Sequence, residues 1–251
     1  MSNLRCARAN SAARYGAAVV DRHRLGQIAW GVGFLALCAV AVLIVVSQAG
    51  GGSGGDTDLE DVGLVRHQLE GIPQHGTVLG DPEADVRVIE YADLQCPICR
   101  DLSVDVVPGL ISQVVRKDVA SYDMRQWPVI GEEPFEQSTA AAKAALAASQ
   151  QDRYWNFVEL FYRNQGTEES GYVTPAFMTA IARGAGIKDI PEWNRDRESD
   201  RWDAELARTA SEADSLGLGG TPSVVVEGPG GQRVLTAPDL EDIENAIQEV
   251  S

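Results

Sequence analysis

VRVIEYADLQCPICRDLS, residues 86–103, is the stretch whose reading decides the fold. It opens as an apolar, largely β-branched run (Val86, Val88, Ile89, Tyr91), the pattern of a buried strand. A short turn follows, and Cys96-Pro97-Ile98-Cys99 stands where a helix should begin. Pro97 suits the first helical position, because its φ is already helical and its missing N–H would be unpaired there. Cys96 then precedes the first turn, where free backbone N–H groups and the positive end of the helix dipole favour an anion. A thiolate is such an anion, and a second cysteine three residues on gives the pair the context of a redox dithiol.

Upstream, Ile28 to Val46 runs for 19 residues without a charge. At about 1.5 Å per residue this matches the ~30 Å hydrocarbon core of a bilayer, so residues 27–48 are expected to form a transmembrane anchor. The basic residues Arg5, Arg8, Arg14, Arg22 and Arg24 lie before it, and Asp56, Asp58, Glu60 and Asp61 after it. Residues 1–26 therefore read as a cytoplasmic basic segment, with the body of the chain outside a cell membrane crossed once. The apolar run is longer than a cleavable signal core of ~7–15 residues, which favours a retained signal-anchor. AGGGSGG (49–55) has few side chains to pack, and residues 49–72 are expected to act as a flexible linker, although part of 58–69 has a weak amphipathic pattern.

Charge bounds the partners. The 251 residues hold 37 acids and 21 bases, a formal net charge of −16. Residues 1–26 carry five arginines against Asp21, +4, which leaves 36 acids and 16 bases, −20, for the remainder. A body this acidic is a poor binder of nucleic acid phosphates. Of four cysteines, Cys6 falls in the basic segment and Cys38 in the apolar span, so Cys96 and Cys99 are the pair expected outside. Zinc would need two further ligands, and His67 and His75 lack ligand spacing, so no metal is expected.

Downstream, Thr77 to Leu79 reads as a short edge strand, and the CPIC helix should reach about Arg116 with a break near Pro108. Val119 to Ile130 alternates like a second strand, and 134–217 turns helical. Within that block Ser138 to Ser149 is Ala-rich, Tyr154 to Tyr162 carries aromatics on one face, and Thr174-Pro175 is a cap followed by a first-turn proline. Trp155, Phe157, Phe161 and Tyr162 read as the core of this block. Two strands, Pro222 to Glu227 and Gln232 to Thr236, flank a Gly-rich turn, and Pro238 to Val250 closes as an amphipathic helix.

This order, with VIEYADLQCPIC, AAKAALAASQQDRYWNFVELFY and GGTPSVVV in sequence, resembles the DsbA-like thiol:disulfide oxidoreductases of bacterial envelopes. The resemblance implies an α/β thioredoxin fold over residues 73–251 with a helical insertion at about 134–217. It implies that Cys96 is the nucleophile, that Cys99 is its more buried partner, and that Pro222 is a cis-proline beside them. It also implies that Glu90 is a buried acid assisting proton transfer, and that Pro97, Ile98 and Thr221 face the substrate. The implied activity is introduction of disulfides into cysteine-containing exported proteins, with no cofactor beyond the Cys96–Cys99 disulfide and a quinone-linked membrane oxidase for reoxidation. The strongest oxidants of the family carry His where Ile98 stands. With Glu90, Asp93 and Asp101 nearby to oppose a thiolate and Arg100 to offset them in part, a weaker oxidant is expected. A reductase or isomerase of the same fold and a thiol-based copper carrier are the alternatives.

Overall fold

The computed structural model describes residues 59–131 and 136–251. The expected anchor and basic segment, with Cys6 and Cys38, lie outside the described residues. Among the described residues no helix is long and apolar enough to cross a membrane.

The elements follow in the order α1 (Val62–Leu69), β1 (Gln74–His75), β2 (Val78–Leu79), β3 (Arg87–Ala92), α2 (Pro97–Asp101), α3 (Val107–Gln113) and β4 (Ser121–Gln126). Then come α4 (Glu136–Ser149), α5 (Tyr154–Arg163), α6 (Pro175–Gly184), α7 (Ile190–Arg197), α8 (Arg201–Ser215), β5 (Ser223–Gly228), β6 (Gly231–Thr236) and α9 (Leu240–Val250). The sheet has strand order β1-β2-β4-β3-β5-β6, with β3 parallel to β4 and antiparallel to β5. Arg87–Ala92 therefore lies at the centre of the sheet, as a strand apolar on both faces must.

The pleat sorts β3 between two cores. Val88 and Ala92 join the large core with α2, α3, α5 and α9, whereas Ile89 and Tyr91 join a smaller one with Trp127, Ala213 and Val225. Because side chains alternate along a strand, Glu90 faces the large core with Val88 and Ala92.

Four sequence expectations change. Residues 59–72, assigned to the linker, instead carry α1, whose Val65 and Leu69 are buried in the large core. Val78–Leu79 is not the sheet edge, because Gln74–His75 pairs outside it across a two-residue hairpin in which Gly76 takes φ 65°. Such a tight loop needs a residue free to adopt positive φ, and glycine supplies it. The redox helix is interrupted by a π turn at Leu102–Val106, ahead of Pro108. Pro108 has no N–H for the carbonyl four residues back and its ring crowds that carbonyl, so the turn before it widens. The aromatics of α5 lie on one broad face, as expected, but the core they enter differs from the expected one. Tyr154, Trp155, Phe157, Phe161 and Tyr162 are all fully buried, in a core continuous with the sheet rather than one belonging to the helical block.

The Thr174 cap expected from sequence is in position, and two further helices are capped by aspartates. The Thr174 hydroxyl accepts from the Phe177 N–H at 3.1 Å ahead of α6, and Asp189 accepts from the Glu192 N–H at 2.8 Å ahead of α7. Asp239 and Asp242 form a capping box at the start of α9.

Candidate active site

β3 delivers the chain to the turn Asp93-Leu94-Gln95, and Cys96 caps α2 with extended backbone, φ −70° and ψ 121°. Pro97 occupies the first turn as its fixed φ dictates. Cys96 and Cys99 are free thiols, so the structure is that of the dithiol form. Cys99 is fully buried and Cys96 is 4% exposed, whereas Ile98 between them is half exposed. The Cys96 Sγ lies 3.4 Å from the Thr221 carbonyl, to which the thiol donates, and the Thr221–Pro222 peptide is cis. Thus Cys96 and Cys99 meet Thr221 and Pro222 at one end of the sheet, Cys96 and Thr221 being 125 residues apart in the chain.

The two thiols differ sharply in acidity. Cys96 is lowered to about 6, first because the Cys99 thiol donates to its sulfur. Burial opposes this, and the N–H groups of Cys99 and Ile98 and the Thr221 side chain add to it. Cys99 is pushed up, first by burial, then by its hydrogen bond to Cys96 and by the charges of Glu90 and Cys96. One thiolate at the helix start is stabilised at the other sulfur's cost in acidity, as expected for a Cys-x-x-Cys pair.

Two of the acids, Glu90 and Asp93, oppose the thiolate less than the sequence suggested. Glu90 is fully buried on β3, and burial pushes its carboxyl to about 8, so it is largely protonated at neutral pH. Tyr122 donates to its Oε2, while Oε1 has no hydrogen-bond partner among the described residues. Asp93 is 1% exposed and its carboxylate is occupied by four donors. Oδ1 accepts from the Gln95 N–H at 2.8 Å and the Ser138 hydroxyl at 2.8 Å, and Oδ2 from the N–H groups of Val129 at 2.7 Å and Ile130 at 2.9 Å.

Asp93 is the structural hub that sequence reading missed, having counted it only as a charge. Its carbonyl accepts from the Cys96 N–H at 3.0 Å and from the Tyr162 hydroxyl at 3.2 Å. It thereby ties the redox turn to α5 and, through Ser138, to α4. Its place in a turn directly after a strand was the available signal, since a short acidic side chain there satisfies nearby backbone N–H groups. Gln165 does similar work from beyond α5, donating to the carbonyls of Leu94 at 2.8 Å and Cys96 at 3.1 Å. No group of three or more His, Cys, Asp or Glu arranged to hold a metal occurs among the described residues.

A family model described as Thioredoxin matches residues 74–249. The chain is 28% identical over 170 residues to the probable disulfide bond formation protein D of Bacillus cereus, covering 67% of this chain and 76% of that protein. A solved thioredoxin-like oxidoreductase from Silicibacter pomeroyi is similar at 30% identity and a TM-score of 0.56, over 75% of this chain and 95% of the other. The oxidised BdbD of Bacillus subtilis shares the fold, with a TM-score of 0.61 at 21% identity over 71% of this chain and 95% of that one. The chain belongs to the thioredoxin superfamily, as a DsbA-like thiol:disulfide oxidoreductase.

Proposed function

We propose that this protein introduces disulfides into exported proteins through a Cys96–Cys99 pair held outside a membrane by residues 27–48, with its basic N-terminal segment in the cytoplasm. The observation that carries the reading is the unequal pair of sulfurs, Cys96 with its thiolate favoured down to about pH 6 and Cys99 buried beside it with its thiol favoured. In the oxidised form, a substrate thiolate attacks Cys96 Sγ. The Cys96–Cys99 bond breaks, and its electron pair leaves on Cys99. Cys99 takes up a proton, for which Glu90 is the donor at hand. A second substrate thiolate attacks the substrate sulfur of the mixed disulfide, a substrate disulfide forms, and Cys96 leaves as the thiolate its surroundings favour. The substrate has lost two electrons and two protons, the enzyme holds both electrons, and solvent restores the proton on Glu90.

Pro97, Ile98, Thr221 and Pro222 form the surface that a substrate strand would meet, with Ile98 as its exposed apolar contact. No separate cofactor is needed, because the disulfide itself carries the electrons. A reoxidising partner must then remove them, and a quinone-linked membrane oxidase is the class proposed.

Equilibration of the purified protein with glutathione tests the direction. A reduction potential clearly above the ~−270 mV typical of thioredoxin is expected, and one at or below it makes the protein a reductase. Cys96→Ser should abolish oxidation of a reduced test protein, whereas Cys99→Ala should accumulate a mixed disulfide through Cys96. Oxidation that survives Cys96→Ser overturns the assignment.

A further inference from the structure

A second carboxyl is buried in the interior and has no part in the scheme above. Glu159 is the only acid in the run WNFVELFY, and it is fully buried on α5. Its Oε1 accepts from the Ser103 hydroxyl at 3.0 Å. Its Oε2 lies 3.4 Å from Gln68 Nε2 and 3.6 Å from Arg163 Nη2. Ser103 stands four residues after Cys99, in the π turn Leu102–Val106 that follows α2. Glu159 is therefore tied to the turn that directly follows the helix carrying the buried thiol.

Charge counting shows what this arrangement enforces. The interior around the dithiol holds two fully buried carboxyls, Glu90 and Glu159, whose charges repel one another. The cation that reaches Glu159 is Arg163, which also lies 3.6 Å from Asp61 outside α1. The remaining titratable groups that face them are Tyr122 of β4, Tyr154 and Tyr162 of α5, and Cys96 and Cys99 of α2. None of these supplies positive charge. Ionising both carboxyls would leave a charge uncompensated at low dielectric, so the pair retains one proton between them. Hydrogen bonding decides its location. Glu159 has three polar partners for a charged carboxylate, whereas Oε1 of Glu90 has none among the described residues. The proton resides on Glu90.

We propose that Glu159 is a positioning residue that acts through Glu90: its buried charge, anchored by Ser103 and Arg163, holds on Glu90 the proton that Cys99 takes up when the disulfide opens. The inference rests on the preceding assignment of Cys96, Cys99 and Glu90. Carboxyl burial agrees with it, Glu90 being raised to about 8 with Glu159 among the causes and Glu159 itself to about 7.

The test is the pH dependence of disulfide transfer from the full-length, detergent-solubilised protein to a reduced synthetic dithiol peptide. Wild type, Glu159→Gln, Ser103→Ala and Glu90→Gln would be compared, with melting curves to establish folding. The peptide's own ionisation is common to all four and cancels. In Glu159→Gln the neutral amide no longer repels a charge on Glu90, so the alkaline limb should move down by about one pH unit. Ser103→Ala keeps the carboxyl but removes its donor, shifts charge away from Glu159, and should move the limb the same way by less. That variant keeps the question answerable if Glu159→Gln does not fold. In Glu90→Gln the limb should vanish. A Glu159→Gln or Ser103→Ala profile that superimposes on wild type, while Glu90→Gln changes it, overturns this inference and leaves the Glu90 assignment standing. An unchanged Glu90→Gln profile overturns both, and activity that survives Cys96→Ser removes the dithiol reading beneath them.

Discussion

Cys96 and Glu90 bend the pH dependence of this protein in opposite directions. The Cys96 thiol ionises near 9.0 when unperturbed and near 6 when folded, so its contribution to the stability of the reduced form is complete above about pH 9 and is lost as pH falls through 6. The oxidised form lacks this group. The melting temperature of the reduced protein, measured relative to the oxidised one, should therefore rise from pH 6 to pH 9. Glu90 is raised from 4.5 to about 8, so its contribution is complete below 4.5 and lost as pH rises through 8. Glu90→Gln removes that loss. Denaturant unfolding should show the variant gaining on wild type from about pH 4.5 to about 8 and no further. Ile98, half exposed beside Cys96, offers a third test at this scale. Ile98→His places a cationic imidazole near the thiolate, should lower its pKa further, and should raise the reduction potential against glutathione.

Elements here are held by a few polar ends and close approaches that composition alone does not reveal. α9 covers β5 and β6 and buries Ile243, Ala246, Ile247 and Val250. Its start depends on the Asp239–Asp242 capping box, so Asp239→Ala should cost about 1 kcal/mol in denaturant unfolding. Its end lies against the β5–β6 turn, where the Gly230 N–H donates to the Val250 carbonyl at 2.7 Å. A Cβ added at Gly228 would meet that carbonyl oxygen at 2.5 Å, and backbone cannot yield as a side-chain tip can. Gly228→Ala should therefore destabilise by roughly 1–3 kcal/mol, and amide exchange should rise first in α9 and β6. Protection that stays uniform would mean the helix and hairpin do not rely on this contact.

At the scale of the whole molecule, the helical insertion and the sheet share one core, and α5 is the piece common to both. Trp155 Nε1 donates to the Thr77 carbonyl at 2.9 Å, reaching the hairpin of β1 and β2, while Phe157 of the same helix packs on Trp193 of α7 with ring centroids 6.0 Å apart. Trp193 is fully buried and donates to the Ala144 carbonyl at 2.9 Å. Trp193→Ala should cost about 3–5 kcal/mol, and circular dichroism and intrinsic fluorescence should report a single transition for both regions. Two separated transitions would show that the insertion folds independently. The sequence by itself determined the local features: the apolar strand before the cysteines, Pro97 in a first turn, the cap at Thr174, and a cysteine pair at a helix start. Each depends on backbone preferences or hydrogen bonds that reach only a few residues. Only the tertiary structure decided that Asp93 accepts from four donors, that Glu159 is buried and bonded to Ser103, and that Glu90 is buried and largely neutral. Those outcomes depend on desolvation and on partners from distant segments, and a carboxylate's charge state is set by what surrounds it in space rather than by its neighbours along the chain.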